Sequence, residues 1–466
     1  MSDVLFDRLS LYESYKREIV YFFDLFKQNG FDCYMIGGCV RNLLMGVKPC
    51  DYEFVTDALP DEIITLVRMD NCVVLLSEMC FGTISVKLAN KHYYRFNTYR
   101  GKYINYKKRN DRYKVAFVKT LYEDVMNRDF TVNALAYNPD KGLVDYVGGL
   151  EDLQLNKLRF IMEMLDSLHT DYRRAIRAIR FWYYYDFDMS DEDLETCKGF
   201  FIKYYGRMEQ DRVRSDILRM LQKRVTDRGK LEFMLDLLKE TCMPELRGLI
   251  YVTDVDTQQT LWDETLNVMM SCSKYKDMSL MTAALYHLTG FTSSEAIGTE
   301  SAEWYAYESK ELASDLLCKL RFSDVMSSDI QFMVQYQCYF DCDDAVLSDK
   351  MQSLYAEQEK KERILQLLKL IRSSKKARML NGNTYEINKR YRHLKHLYAR
   401  CVVTERGLTL DNLNFLESDI QELGLRDLED DTAIVQLLYS CIQNPECNNR
   451  DWLIEHYNKY RDCERY

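Results

Sequence analysis

Near the N-terminus two carboxylates, Asp51 and Glu53, stand two residues apart in the run DYEFVT. Side chains alternate faces along a strand, so this pair projects from one side of a sheet, where its oxygens suit a hard divalent cation. Upstream, Gly37 and Gly38 separate an apolar strand from a short helix opening at Cys39. Without β-carbons, such glycines let backbone N–H groups and a helix N-terminus approach a phosphate. Alone, a Gly-Gly pair is usually a turn, and Asp-x-Glu on a strand edge is more often solvated than metal-bound. Their order within residues 33–58 points instead to Mg²⁺-dependent handling of a nucleotide.

A second pair, Asp171 and Arg174, is three residues apart, the spacing that puts two side chains on one helix face. A carboxylate accepts from an exocyclic amine, and a guanidinium donates to a ring nitrogen or carbonyl. Cytosine and adenine both offer an amine beside a ring acceptor, so one Asp–Arg pair suits both. Uracil and guanine reverse that pattern and leave buried groups unpaired, at a cost of about 1–3 kcal/mol per group. The bland alternative is an exposed ion pair worth roughly 0.2–0.5 kcal/mol.

These groups need elements to hold them. Residues 11–29 place Ile19, Phe22, Phe23 and Phe26 at helical spacing, and Gly30 ends that helix before the first strand. Between 72 and 100 the runs CVVLL, TISVKL and HYYRFNTYR read as strands extending one sheet, with Gly82 and Ala89-Asn90 as turns. Residues 101–112, GKYINYKKRNDR, are polar and basic without apolar periodicity and are expected to form a loop. From about 151 helical patterns dominate. The expected fold class is α+β: a mixed-sheet head with helices, then an all-α neck, body and tail. The boundaries read as 1–150, 151–225, 226–370 and 371–466.

A length of 466 residues allows two to four domains, and a net charge of −10 excludes a polycation. Contact with nucleic acid must then come from local basic patches. Lys369, Arg372, Lys375, Lys376 and Arg378, followed by Lys389, Arg390, Arg392, Lys395 and Arg400, are such runs. Absence of a leader-like start or a membrane-length apolar run leads to the expectation of a cytoplasmic protein with no membrane partner. The 15 cysteines include no CxxC pair, and 5 prolines favour long helices.

GGCVRNLLMG followed by DYEFVT resembles the first motif of the class II tRNA nucleotidyltransferases, the CCA-adding enzymes and their poly(A) polymerase relatives. The family pattern is GGxVRDxLLG with DxDxxT. That resemblance implies transfer of CMP and AMP from CTP and ATP to a tRNA 3′ end, with Mg²⁺ as cofactor and no DNA partner. It makes Asp51 and Glu53 the metal-holding catalytic pair and Gly37, Gly38 and Arg41 the phosphate cradle. Residues 123–134, EDVMNRDFTVNA, are similar to the second motif and imply Arg128, Asp129 and Asn133 at ribose and phosphate. LVDYVGGLEDL, with Asp145, Gly148 and Gly149, resembles a spacing motif. HTDYRRAIRAIRF resembles the base-reading motif, adding Arg177 and Arg180 to Asp171 and Arg174. QDRVRSDILRML is similar to the fifth motif, in which Asp211 and Arg212 would buttress the base-reading helix.

Departures from the family pattern stand at Glu53, Asn42, Asn127 and Thr170. They keep three rivals open: a poly(A) polymerase, an enzyme adding A alone, and an RNA-binding pseudoenzyme. Further on, ALYHLTGF resembles the HD signature of bacterial members, with Leu288 where its Asp should follow His287. Glu264 and Tyr307 stand where further His ligands are expected, so the phosphohydrolase chemistry is expected to be lost.

Overall fold

The computed structural model describes residues 13–49, 51–68, 72–76, 78–88, 92–103, 115–254, 256–292, 301–379, 384–425 and 432–462. The chain divides into two compact units, Met1–Asp216 and Ile217–Tyr466.

The first unit opens with α1 (Glu13–Gln28), β1 (Cys33–Ile36), α2 (Gly38–Leu44), β2 (Tyr52–Thr56) and α3 (Pro60–Val67). Strands β3 (Cys72–Leu75), β4 (Thr83–Leu88) and β5 (Tyr93–Thr98) follow. A two-stranded ribbon, β6 (Arg100–Tyr103) with β7 (Val115–Phe117), leads to α4 (Leu121–Met126) and then β8 (Ala136–Asn138) and β9 (Gly142–Val144). The main sheet has seven strands in the order β3-β4-β5-β2-β1-β8-β9, antiparallel except for the parallel pairing of β2 with β5. Residues 101–103, expected as loop, are thus strand. Arg-Gly-Lys-Tyr is too short and too poor in apolar residues to show the alternation by which strands are recognised in sequence. The rest of that expected loop, 104–112, and the expected turn at 89–90 lie outside the described residues.

Alternation along β1 and β2 explains the layering. Cys33, Met35, Tyr52 and Phe54 join Ile19, Phe22, Phe23 and Phe26 of α1 in one core, together with Val40, Leu43 and Ile63. Tyr34, Ile36 and Val55 face the other way, into a smaller cluster with Tyr99, Leu121, Val125 and Ala136. In the larger core Phe22 sits edge-on to Phe96 at 4.9 Å, and Phe54 stacks on Phe96 at 5.1 Å. Such aromatic pairs add about 0.5–1.5 kcal/mol each beyond burial. This side anchors the sheet, and it leaves Asp51 and Glu53 on the opposite face.

Past the sheet come α5 (Gly149–Gln154), α6 (Met164–Thr170), α7 (Arg174–Tyr184), α8 (Asp191–Tyr204) and α9 (Gln210–Leu221). Asp145 Oδ1 accepts from the N–H of Val147 (3.1 Å) and Gly149 (3.0 Å), and Oδ2 from Leu150 (2.9 Å), fixing the entry to α5. The second unit, within its described residues, is helical with short 3-10 turns. Its helices include Leu261–Ser273, Met278–Tyr286, Ala302–Lys319, Arg363–Ala377 and Tyr385–Glu405. Among the described residues no helix is long and apolar enough to cross a membrane.

Gly149 packs without clearance against the turn that carries Asn133: a β-carbon there would lie 2.2 Å from the Thr131 carbonyl oxygen. Gly149→Ala is therefore expected to lower stability by about 1–3 kcal/mol, the usual range for overpacking. A thermal melt checks it; an unchanged midpoint would refute the close approach.

Candidate nucleotidyl-transfer site

The site grows from the junction of β1, α2 and β2. Gly37 caps β1 with φ 80° and ψ −138°, a conformation open to glycine, and its N–H donates to the Leu135 carbonyl at 3.3 Å. A β-carbon at Gly37 would stand 3.6 Å from Glu53 Oε2 and 3.7 Å from Arg128 Nη1. Helix α2 begins at Gly38, one residue earlier than the sequence indicates. Thus Gly37, Glu53 and Arg128, separated widely in sequence, meet at one point.

Asp51 sits just before β2 with its side chain 61% exposed, and its Oδ2 lies 3.8 Å from Arg95 Nη1. Glu53, 25% exposed, accepts from Asn97 Nδ2 at 3.1 Å, and its Oε1 lies 3.9 Å from both Arg100 and Arg128. Arg95, Asn97 and Arg100 were not singled out from the sequence. The signal for two of them was present, because Arg95 and Asn97 alternate on β5, whose register pairs Glu53 with Arg95 and Val55 with Asn97.

Arg128 Nε donates to Asp124 Oδ2 at 2.9 Å, while Arg128 Nη2 is buried with no acceptor among the described residues. Burial opposes its charge, but Asp124, Glu53 and Asp129 more than offset this and raise its pKa. Asp129 is buried: Oδ1 accepts from the Phe130 N–H (2.8 Å) and Asn133 Nδ2 (3.2 Å), and Oδ2 lies 2.5 Å from Arg177 Nη2. Burial pushes the Asp129 carboxyl upward, yet Arg177 and Arg174 hold it below its ordinary value. Arg177 Nε is a further buried donor without an acceptor among the described residues. Asn133 Oδ1 takes a 2.5 Å hydrogen bond from Arg41, whose Nε and Nη2 also donate to Asn42 Oδ1 (3.2 and 2.8 Å). The Arg41 guanidinium lies 4.8 Å from the Phe181 ring and 4.7 Å from the Tyr185 ring, so α7 and its C-terminal neighbour cover it.

Gly37, Gly38, Arg41, Glu53, Arg128, Asp129, Asn133 and Arg177 therefore form one connected group, with Asp51 at its exposed margin. Two expectations need correction. Asp171 and Arg174 do not share a helix face: Asp171 closes α6 in extended conformation (φ −146°), and α7 starts at Arg174. Asp171 instead binds Arg173, through its N–H at 3.0 Å and Nε and Nη2 at 3.1 and 2.8 Å. Arg174 donates to Ser167 Oγ and the Asn127 carbonyl, both at 2.6 Å. Nor do the ion pairs of Arg212 among the described residues reach α7. Arg212 bonds Glu209 (2.8 Å) and Glu78 (3.4 Å), and Asp211 is exposed in the first turn of α9. Asp216, a turn further along α9, makes that contact with Arg180 at 2.8 Å. Helical spacing explains the miss, since Asp216 lies on a different face of α9 from Asp211.

At the HD-like positions Glu264 and His287 are both buried. Glu264 Oε1 accepts from Arg378 Nε at 2.7 Å, and Tyr307 is exposed. His287 Nδ1 meets the Ala284 carbonyl at 2.7 Å, and burial pushes its pKa down to about 3.

Residues 33–159 match the family described as the poly(A) polymerase head domain. Poly(A) polymerase I of Haemophilus influenzae is 34% identical over 163 residues, 33% of this chain and 35% of that protein. The CCA-adding enzyme of Listeria monocytogenes serotype 4b is 27% identical over 220 residues, 47% of this chain and 53% of that one. These matches span about a third and about half of the two relatives' lengths. The CCA-adding enzyme of Bacillus stearothermophilus, solved with CTP, shares the fold with a TM-score of 0.58 at 19% identity, covering 96% of this chain and 98% of that one. Over residues 33–159 the chain is thus similar to the head domain of the poly(A) polymerases and CCA-adding enzymes.

Because the folded-state pKa of Asp129 is depressed, the stability it contributes is present above its unfolded value of about 3.9 and is lost as pH falls through the folded value. Asp129→Asn is expected to cost about 1–3 kcal/mol at neutral pH, since Asp129 is buried while Arg177 is partly solvated, and to flatten the acid limb of the stability curve. Denaturant melts from pH 3 to 7 measure both; a parallel acid limb in the variant would contradict the assignment.

Proposed function

We propose that the chain is a CCA-adding tRNA nucleotidyltransferase, transferring CMP and AMP from CTP and ATP to the tRNA 3′ end without a nucleic-acid template. In each step the terminal 3′-oxygen forms a bond to the α-phosphorus, the α–β bridging P–O bond breaks, and pyrophosphate leaves with the hydroxyl proton lost. The observation that carries this reading is the cradle at Gly37. Its backbone at φ 80° favours glycine, Glu53 borders it, and Arg128 beside it keeps a buried donor without an acceptor among the described residues. Such a donor suits an anionic oxygen.

Asp51 and Glu53 fit Mg²⁺: they are hard oxygen donors on one strand face, and Asp51 is open to solvent. Bound there, Mg²⁺ would supply neutralisation of triphosphate charge and acidify the attacking hydroxyl. Asn97 orients the Glu53 carboxylate. Gly37, Gly38, Arg41 and Arg128 hold phosphate oxygens, and Asp129 and Asn133 set Arg177 and Arg41 and offer polar groups to the ribose. Asp171 accepts the base amine and Arg174 donates beside it, once they exchange Arg173 and the Asn127 carbonyl for the base. Arg180, fixed by Asp216, positions α7, the base-reading helix that Asp211 and Arg212 buttress from α9. Residues 151–225 form the base-reading neck, 226–370 a packing body, and 371–466 an RNA-holding tail.

A second reading, poly(A) polymerase, is favoured by the 34% identity to the Haemophilus protein. Purified protein, given tRNA lacking its 3′ end with labelled CTP and ATP, separates the two when the products are sequenced. Addition stopping at CCA supports the first reading, long A-tracts the second, and no extension sinks both. Asp51→Ala is expected to reduce transfer by at least about a thousandfold, whereas Asp171→Ala relaxes base choice; equal losses with unchanged preference would remove Asp171 from base reading.

A further inference from the structure

Parallel pairing of β2 with β5 sets Glu53 beside Arg95, and antiparallel pairing of β5 with β4 sets Arg95 beside Ser85. Residues paired directly across neighbouring strands project to the same face, so Arg95 shares the face of the two carboxylates. A further carboxylate beside Glu53 would enlarge the set of oxygen ligands open to divalent cations. The neighbour is a guanidinium instead, and its Nη1 lies 3.8 Å from Asp51 Oδ2.

This contact does little for the fold, because both side chains are largely solvated and such exposed pairs contribute little to stability. Its consequence is the local charge. Arg100 Nη2 lies 3.9 Å from Glu53 Oε1, whereas Arg128, equally near, is already matched by Asp124 at 2.9 Å. Arg95 and Arg100 therefore balance Asp51 and Glu53 before any metal enters. A pair of divalent ions would load that balanced group with strong repulsion. A single ion arriving with a triphosphate avoids this, since the phosphates bring compensating negative charge.

We propose that Arg95 is a resident cation of the transfer site: its guanidinium holds Asp51 and limits the carboxylate pair to a single divalent ion, taken up together with the nucleoside triphosphate. The inference rests on the nucleotidyl-transfer reading above. Arginine suits the part because it keeps its charge at every working pH. At 3.8 Å the contact is longer than a hydrogen bond, so the guanidinium can turn to a phosphate oxygen without breaking one.

Mn²⁺, counted by electron paramagnetic resonance, tests this in place of Mg²⁺. The full chain is titrated with Mn²⁺ alone and then dialysed against Mn²⁺ and CTP without RNA, so no transfer takes place. The wild-type chain is expected to hold a single Mn²⁺ per bound CTP. Arg95→Gln is expected to bind Mn²⁺ alone about tenfold more tightly and to gain a second Mn²⁺ per bound CTP. Arg95→Lys, which restores the charge, is expected to return to the wild-type count. Lys27→Gln, the same charge change on α1 across the sheet, is expected to match the wild-type affinity within about twofold. A second Mn²⁺ per bound CTP in the wild type, an Arg95→Gln titration that overlays the wild type, or an equal gain in Lys27→Gln overturns the proposal. Should Arg95→Gln fail to fold, the wild-type and Arg95→Lys counts decide. A chain that binds no CTP at all sinks the transfer reading itself; CTP bound with a second ion removes the Arg95 assignment alone.

Discussion

The head depends on one backbone conformation: Gly37, at φ 80°, carries the main chain past the gap beside Glu53 and Arg128. Everything else in the site is arranged around that gap. Strand β2 brings the acidic face up to it, β5 supplies Asn97 and Arg95 from the neighbouring strand, and α4 holds Asp124 under Arg128. The aromatic core on the far side of the sheet fixes β1 and β2 in register, so their polar residues inherit a rigid backing.

Charge is handled differently at the two sides of this gap. Toward β2, Glu53 stands among Arg100, Arg128 and Asn97, with contacts long enough to be exchanged for a ligand. Toward the neck, buried Asp129 forms a short pair with the partly exposed Arg177, and Asn133 links it to Arg41. Pairs with a buried member contribute little net stability but penalise misplacement, because a lone charge left behind is uncompensated. The result is a site with one compliant side and one stiff side.

Much of this was legible in the sequence where the signal is local. The glycine pair, the alternation of DYEFVT and the helix carrying Phe22 and Phe26 each reflect contacts within a few residues or a plain amphipathic period. Reading failed where geometry depends on partners far along the chain. The break between α6 and α7 has no Gly or Pro to announce it, so Asp171 and Arg174 looked like one helix face. Asn97, Asp124 and Asp216 acquire meaning through strand register and helix packing, which no single stretch encodes. The β6–β7 ribbon, whose first strand is the short run Arg100–Tyr103, was hidden for the same reason.

Arg41 meets the neck through two aromatic rings and is held within the head by two carboxamide oxygens. None of those acceptors changes protonation across the range in which carboxylates and histidines do. Acid that neutralises Asp129 would release Arg177 while leaving this fastening in place. The joint between head and neck is thus buffered against proton concentration even though its nearest electrostatic neighbours are not, and it should let go last.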